Sequence, residues 1–380
     1  EEEKVQVIVQ RIREDSKHTP SAEIRIRGTA EGHIHTTRIN LLSTQARNQV
    51  ARHCAGRCPT GRDWDAIVEQ FTVMTLDHWR QGEPVVNLGT VQPSPEPIYR
   101  LTPFLLEGET TLIYGDGGIG KSYVAAYLAS QIDQGINMGR YTPIQGNVLY
   151  LDYETNREIA ARRFQAITKG FGFSEMSGVL YRFCFQPLAA DIAEIQKIVA
   201  EEDIDFIVVD SAGPACGGDP ESASSAINYF TSLRSLRKTS LTIAHRSKSG
   251  SAGPFGSVYW VNYPRATYEL KKSQEMDDDV MHVALIHRKA NEGRLQEPIS
   301  FKFTFRSGSV SVAEESISDV TGFIGELPIA EQLLQTLQEC GAQSARDLSN
   351  MTGLNLGTIQ VILSRDSRFK RMGSSKWDVA

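Results

Sequence analysis

Between about residues 101 and 316, short apolar runs alternate with segments of helical periodicity. The runs are TTLIYG, NVLYLDYE, LYRFCF, DFIVVDS and SLTIAH; the helical segments start at Lys121 and cover 156–169, 191–203 and 221–238. This alternation is typical of βαβ units, whose helices cover both faces of a mostly parallel sheet. The pattern therefore predicts an α/β fold for this part of the chain.

Four later runs (ATYELKK, VMHVALIHRKA, ISFKFTF and GSVSVAE) look like strands without helices between them, so the sheet is expected to end antiparallel. Thr155-Asn156-Arg157-Glu158 predicts a capping box at the start of the second helix.

The flanking sequences differ in character. Residues 1–92 combine an alternating stretch, EIRIRGTAEGHIHTTRINL, with a helical one, DWDAIVEQFTVMTLDHWRQ, and are interpreted as an α/β accessory region. Residues 93–103 contain four prolines and are predicted to be a linker. The α/β domain is assigned to 104–316 and a C-terminal domain to 326–380.

The C-terminal domain contains three short amphipathic segments, IAEQLLQTLQECG, SARDLSNMTG and NLGTIQVILSRDSRF, followed by a hairpin-like FKRMGSSKWDVA. This order predicts a winged helix-turn-helix with a recognition helix at about 355–366. Arg365 and Arg371 are candidate DNA contacts in its basic tail. Docking of another protein, for example a replication or host protein, is the alternative use of such a domain and of the N-terminal region.

Composition narrows the class only slightly. Of 380 residues, 40% are hydrophobic and 23% charged, the net charge is −6, and no apolar run approaches the ~20 residues of a membrane span. The acidic balance argues against coating nucleic acid by bulk attraction. The acidic start is unlike a signal peptide, and a first residue other than Met is compatible with a processed form or a fragment. Five scattered cysteines suit a reducing cytoplasm.

The most specific chemistry is a complete GxxxxGK[ST] motif between a predicted strand and a predicted helix. Its backbone amides can surround phosphate oxygens, its lysine reaches the β- and γ-phosphates, and its serine can hold Mg²⁺. The motif therefore predicts an ATP and Mg²⁺ site. The residues assigned to it are Gly115, Asp116, Gly117, Gly118, Ile119, Gly120, Lys121, Ser122 and Tyr123.

Three more polar residues follow apolar strands and are expected at the same sheet edge. Asp210 is the candidate second support for Mg²⁺. Glu154 is favoured over Asp152 as the carboxylate that orients the attacking water, because strand alternation leaves it nearest the tip. His245 is the candidate γ-phosphate sensor, and the loop 246–256 beyond it carries the candidate DNA contacts Arg246 and Lys248. A plain solvated loop is the alternative.

In order, GDGGIGKS, LYLDYETN, DFIVVDSAGPA, LTIAHRSK, PFGSVYWVNYPRATYEL and LIHRKANEG resemble the RepA-like plasmid helicases of the RecA/DnaB-type ATPases over about 101–305. The resemblance implies a RecA-like sheet, a ring of usually six subunits and single-stranded DNA in its pore. It also implies that Arg265 is an arginine finger for a neighbouring subunit. The family's Lys-x-Arg is matched only by Lys289-Ala290-Asn291, so Arg288 or Arg294 would have to substitute for the second finger; Lys289 is a further candidate DNA contact.

The N-terminal region gives one weaker signal. Cys54 and Cys58, with His53 and the upstream His33 and His35, invite a zinc assignment, but no second cysteine pair follows. On a helix the two cysteines would simply share one face.

The leading hypothesis is an ATP-hydrolysing motor on single-stranded DNA, a hexameric replicative-type helicase or translocase. The alternatives are a RecA-like switching ATPase without unwinding activity and a DNA-binding regulator that uses ATP only to assemble.

Overall fold

The computed structural model describes residues 4–14, 18–58, 61–81, 85–137, 141–173, 178–247, 253–373 and 375–380. The chain forms two compact units, Glu1–Pro93 and Ser94–Ala380. No helix among these residues is long and apolar enough to cross a bilayer.

The first unit is a three-stranded antiparallel sheet with two helices. Its elements are β1 (Val5–Glu14), β2 (Pro20–Gly28), β3 (Gly32–Asn40), α1 (Thr44–Arg57) and α2 (Trp64–Gln81), and β2 is the central strand. Alternate residues of β2 are buried, as the sequence pattern predicted for a strand with one covered face. Their side chains pack with α1 and α2 in one apolar core.

Cys54 and Cys58 lie at the end of α1 and both are buried. Cys58 Sγ donates to Glu31 Oε1 at 2.6 Å. Within the described ranges, no group of three or more His, Cys, Asp or Glu side chains is arranged to hold a metal ion. Both thiols are buried one helical turn apart, which fits the interpretation that the two cysteines share one helix face.

The second unit contains the remaining elements. Its strands are β4 (Tyr99–Thr102), β5 (Leu105–Leu106), β6 (Thr110–Gly115), β7 (Thr142–Pro143), β8 (Asn147–Asp152), β9 (Leu180–Phe183), β10 (Ile204–Asp210), β11 (Thr239–His245), β12 (Ala266–Ser273), β13 (Val280–Ala290), β14 (Ile299–Arg306), β15 (Ser309–Glu315), β16 (Gln343–Ser344), β17 (Phe369–Met372) and β18 (Lys376–Val379). Its helices are α3 (Lys121–Gln134), α4 (Arg157–Gly170), α5 (Leu188–Glu201), α6 (Ala212–Ala215), α7 (Ala223–Ser235), α8 (Tyr259–Asn262), α9 (Ile329–Cys340), α10 (Ala345–Thr352) and α11 (Leu356–Arg365).

A nine-stranded sheet of order β15-β14-β13-β12-β6-β11-β10-β8-β9 forms the centre of this unit. The strands from β12 to β9 are mutually parallel, whereas β13, β14 and β15 extend the sheet antiparallel. Both expectations, a mostly parallel sheet and an antiparallel end, are confirmed. β6 and β10 are apolar almost throughout because helices cover both of their faces.

One local expectation was wrong. The predicted capping box at Thr155 does not form: Asn156 is the N-cap of α4 and accepts from Ile159 N at 3.0 Å. Thr155 instead donates its hydroxyl to Asp152, which removes it from the helix end. The predicted linker 93–103 stays a prediction; its last residues overlap β4, where Leu101 is fully buried in a small sheet of order β5-β4-β7.

Residues 329–379 form three helices and a three-stranded antiparallel sheet of order β16-β18-β17. Ser344 and Asp347 form a capping box at the start of α10, and Gly353 ends that helix with a φ of 71°. The three helices and the small sheet share an apolar core that includes Leu333, Leu348 and Ile359. These elements occupy the predicted segments; the winged helix-turn-helix assignment itself stays a prediction.

Candidate active site

The GxxxxGK[ST] loop joins the carboxyl end of β6 to the first turn of α3. At two positions of the loop, any residue other than glycine would clash with a neighbour or strain the backbone. A Cβ on Gly115 would lie 2.4 Å from Ile119 Cδ1 and 2.8 Å from the Leu270 carbonyl. Gly120 has a φ of 92°, and a Cβ there would meet Met281 Cε at 2.9 Å. These two positions therefore have to lack a side chain, which also lets the backbone amides of the loop approach a ligand closely.

The first turn of α3 is open to an anion. Gly120 is its N-cap and supplies no side-chain hydrogen bond to the first amides of the helix. Those amides carry the positive end of the helix dipole. A helix start of this kind is suited to a phosphate group.

Lys121 is held inside the loop. Its ammonium donates to the carbonyls of Gly115 at 3.0 Å and Asp116 at 2.6 Å, and the residue is only 7% exposed. Burial lowers the pKa of this ammonium, while the nearby Glu154, Asp210 and Asp116 act to raise it. A polyphosphate would offer this cation stronger partners than two neutral carbonyls.

Asp210 ends β10 and is almost fully buried. Tyr150 donates its hydroxyl to Asp210 Oδ2 at 2.6 Å. Burial raises the pKa of this carboxyl, and hydrogen bonds from Tyr150 and Ser122 oppose that rise. The contact with Ser122 brings together the two oxygen ligands that the sequence assigned to Mg²⁺.

The choice between Asp152 and Glu154 is addressed by their surroundings. Asp152 is 1% exposed, and its carboxylate accepts from the backbone amides of Glu154 and Thr155, both at 2.9 Å. It also accepts from the hydroxyls of Thr155 and Tyr181. Asp152 therefore shapes the turn, and this turn presents the Glu154 carboxylate to the cavity beside the glycine loop.

Glu154 forms part of a small polar cluster. Ser211 donates its hydroxyl to Glu154 Oε1, and His245 Nε2 lies 3.7 Å from the same oxygen. His245 is the β11 partner of Gly115 in the sheet register, so it stands beside the start of the loop. The side chains of Glu154 and His245 are 40% and 51% exposed, which leaves both accessible to a ligand.

These groups surround one cavity of about 350 Å³. The cavity is also lined by residues that the sequence analysis did not assign to the site: Arg163, Ile243, Lys272, Gln274, Met281 and Phe305. Arg163 lies over the Tyr123 ring at 5.2 Å, and Tyr123 meets Phe305 edge-on at 5.2 Å. Of these lining residues, Arg163 comes from α4, Ile243 from β11 and the others from the part of the sheet between β12 and β14, so only the sheet topology brings them together. No motif spacing could have revealed them.

The residues present fit a Mg²⁺–nucleotide. Ser122 and Asp210 supply adjacent hard oxygen ligands, of the type that Mg²⁺ accepts alongside water and phosphate oxygens. Lys121 and the open start of α3 supply the positive charge for phosphates. The arrangement can bind a polyphosphate and direct a water with the Glu154 carboxylate.

Arg265 lies at the other end of the sheet. It precedes β12, and its backbone nitrogen donates to Thr110 O, at the amino end of β6, at 2.9 Å. Its guanidinium pairs with Glu109 at 3.3 Å and is 39% exposed. The length of a strand thus separates Arg265 from the glycine loop of its own chain.

Lys289 has a local structural role in this conformation. Its ammonium donates to the carbonyls of Val261, Asn262 and Pro264 at 2.8, 2.9 and 2.5 Å. These carbonyls precede Arg265, so Lys289 fixes the turn that presents it. The predicted DNA contact at Lys289 gains no support from this arrangement.

The other candidate DNA contacts are spread over the unit. Arg246 pairs with the buried Glu269 at 2.7 Å, and Glu269 also pairs with Arg288 at 2.6 Å. Arg365 and Arg371 are exposed in the C-terminal segment. Lys248 lies outside the described residues, as do residues 249–252 of the predicted loop 246–256; Arg246 and Pro254, on either side of this gap, form a β-bridge.

Comparisons with known proteins are consistent with this geometry. Residues 81–251 match a family described as AAA domain. A stretch of 227 residues, 52% of this chain, is 23% identical to the DNA repair protein RadA of Halalkalibacterium halodurans and spans 45% of that protein. These matches support a P-loop ATPase of the RecA type. The KaiC-like protein PH0186 of Pyrococcus horikoshii is 13% identical over 57% of this chain and 98% of its own, with a TM-score of 0.41, too low to carry an argument.

Proposed function

We propose that this RecA-type ATPase is an ATP-driven motor on single-stranded DNA, a RepA-like helicase or translocase that works as a ring, most simply a hexamer. The observation that carries the proposal is the division of catalytic groups between the two ends of one sheet. Lys121, Glu154 and His245 face the cavity, whereas Arg265 lies at the opposite end. A neighbouring copy would have to supply the finger.

Within the site, each residue has a distinct task. Lys121 and the amides at the start of α3 bind and orient the phosphates. Ser122 and Asp210 hold Mg²⁺, which neutralises charge on the β- and γ-phosphate oxygens when bound. Glu154 accepts a hydrogen bond from the attacking water and directs it. Ser211 and His245 hold the Glu154 carboxylate in place.

His245 is suited to report the state of the γ-phosphate. It contacts Glu154 on one side, and its neighbour Arg246 starts the loop that carries two of the candidate DNA contacts. Loss of the phosphate would free His245 and so change the start of the loop. This link would convert hydrolysis into movement along DNA.

The part of the cavity beside Tyr123 is suited to a flat ligand such as a nucleobase. The Arg163 guanidinium and the rings of Tyr123 and Phe305 offer planar surfaces next to the phosphate loop. Guanidinium groups and aromatic rings both stack on aromatic faces. We assign the nucleobase of ATP to this group.

The switching ATPase is the competing function. One observation favours it: Arg246, a candidate DNA contact, is engaged by Glu269, and the same carboxylate is shared with Arg288. An intrachain ion pair of this kind occupies the cation that a DNA backbone would need, which suits a switch within the chain better than a DNA contact. The name of the RadA relative, a DNA repair protein, favours an association with DNA.

The deciding experiment is ATP hydrolysis with and without single-stranded DNA. Lys121→Ala and Glu154→Gln are the controls, since both should abolish the DNA-stimulated rate. A several-fold stimulation that both variants lose, together with unwinding of a forked duplex, supports the motor. Hydrolysis that is indifferent to DNA supports the switching ATPase.

A further inference from the structure

The sheet of the first unit has one face that the helices leave uncovered. Ala22, Ile24 and Ile26 of β2 point into the core shared with α1 and α2. The alternate residues therefore point to the opposite side. We call this side the outer face; its charged residues and histidine are Arg13, Glu23, Arg25, Arg27, His33 and Arg38.

The strand register gathers these side chains into rows across the sheet. Arg27 lies between Gln6 of β1 and His33 of β3. Arg25 lies between Ile8 and Thr36 in the next row. Successive outward residues on one strand are about 7 Å apart and neighbouring strands about 5 Å apart, so the arginines form one compact patch.

The charge on the outer face is strongly one-sided. Among the described residues of the three strands, the outer face carries four arginines, Arg13, Arg25, Arg27 and Arg38, and one carboxylate, Glu23. That carboxylate is already paired with Arg11 at 3.3 Å, so it neutralises none of the four in full.

Two of these arginines are available to a partner. Arg25 and Arg27 are exposed, and neither makes an ion pair with any described residue. Arg38 donates only to the Ser21 hydroxyl, at 3.3 Å. The whole chain carries a net charge of −6, so this local excess of positive charge is not a consequence of a basic composition.

The arginine side chains of the outer face are suited to bind the phosphates of a nucleic acid backbone. Arginine binds phosphate with two parallel hydrogen bonds and keeps its charge at every relevant pH. The outer face lacks Phe, Tyr and Trp among the described residues of its three strands, so it offers no aromatic platform for unstacked bases. Recognition would follow the sugar and phosphate and not the sequence.

We propose that the outer face binds the sugar–phosphate backbone of a nucleic acid, as a contact separate from the nucleotide site. It gives the N-terminal unit a task of its own. A strand held there would stay attached while the ATPase unit passes through nucleotide states of low DNA affinity. This contact requires no ATP, and it does not depend on the motor assignment.

The test uses the full chain, a labelled oligonucleotide and fluorescence anisotropy, in EDTA and without nucleotide. Arg25→Gln/Arg27→Gln should weaken binding at least tenfold at low salt, and should lower the slope of log Kd against log salt by about one for each arginine removed. Arg25→Lys/Arg27→Lys keeps the charge and should retain most of the affinity. Arg52→Gln/Arg80→Gln removes two exposed arginines from α1 and α2 and is the matched control.

The outcomes are separable. Loss of affinity in the Gln pair alone, with an unchanged melting temperature and unchanged DNA-free ATPase rate, supports the proposal. Affinity within twofold of the unmodified chain, or an equal loss in the control pair, overturns it. Loss of binding to anionic vesicles without loss of oligonucleotide binding also overturns it, in favour of a membrane surface. Repeating the assay in Lys121→Ala keeps this result distinct from failure of the motor.

Discussion

Each end of the parallel sheet carries a basic residue assigned to the reaction, but Lys121 at one end is buried and Arg265 at the other is exposed. At the carboxyl end, Lys121 and Asp210 are buried, and the polar groups around them form one connected cluster. At the amino end, Arg265 is 39% exposed and contacts a single carboxylate. The carboxyl end of the sheet is therefore arranged to hold a small ligand. The amino end presents the Arg265 guanidinium to the outside.

This difference is what the proposed function requires of the two ends. A buried cluster is organised before the ligand arrives, which avoids reorganisation during the reaction. Arg265, on a turn that Lys289 fixes, is exposed and lies far from that cluster. Under the proposal, one subunit binds the nucleotide and activates the water, and the next supplies the finger.

The largest expected effect is at the carboxyl end. Lys121→Ala removes the only cation buried within the loop and leaves the Gly115 and Asp116 carbonyls without this donor. We expect loss of measurable ATP binding in a fluorescent-nucleotide assay. Lys197→Ala, on the surface of α5, is the control and should bind normally. Normal ATP affinity in Lys121→Ala would contradict the assignment of the loop.

Glu154 and Asp152 should separate activity from stability. Glu154→Gln should lower the hydrolysis rate about 1,000-fold, within the usual range for a lost general base, with ATP affinity and melting temperature maintained. Asp152→Asn should destabilise the fold by about 1–3 kcal/mol, because the amide nitrogen that replaces Oδ2 cannot accept the hydroxyl hydrogen bonds of Thr155 and Tyr181. Thermal melts and single-turnover rates measure both. The reverse pattern would make Asp152 the base.

At the amino end, Lys289→Met tests whether the lysine supports the turn or contacts DNA. The substitution leaves three carbonyls without their donor. We expect about tenfold lower ATPase activity, through a misplaced Arg265, and a lower melting temperature. Lys197→Met, on the surface of α5, is the control. Weaker DNA binding with a smaller salt slope and an unchanged melting temperature would restore the DNA contact.

The smallest expected effect concerns the buried hydrogen bond to Asp210. Burial raises the pKa of this carboxyl, and the Tyr150 hydroxyl lowers it. Tyr150→Phe removes this hydrogen bond, so the pKa of Asp210 rises further. A larger fraction of the Asp210 carboxyl groups is then protonated at a given pH. Because Mg²⁺ requires the carboxylate, the acid limb of the ATPase profile should move to higher pH.

Rates of Tyr150→Phe and the unmodified chain should converge at alkaline pH. Tyr229→Phe removes a buried hydroxyl bonded to Thr242 and should leave the profile in place. An acid limb that stays fixed or moves to lower pH in Tyr150→Phe would show that Asp210 does not control it.

Much of this arrangement could be predicted from the sequence. The apolar run 206–209 of β10 ends in Asp210, and the run 241–244 of β11, with its single threonine, ends in His245. The alternation of such strands with helices was enough to place both residues at one edge of a parallel sheet. Contacts made by distant strands could not be predicted: Arg163 and Phe305 reach the cavity only through the strand order. The capping box failed because Thr155 has a stronger local partner in Asp152.

The most direct test of the division between the two ends is a mixing experiment. Lys121→Ala and Arg265→Ala should each be nearly inactive alone, the second by about 1,000-fold. Mixed under conditions that allow subunits to exchange, they should regain part of the ATPase activity, because an interface between an intact loop and an intact finger forms again. The account predicts recovery that rises with the proportion of mixed rings. Full activity of Arg265→Ala alone, or no recovery in the mixture, would contradict it.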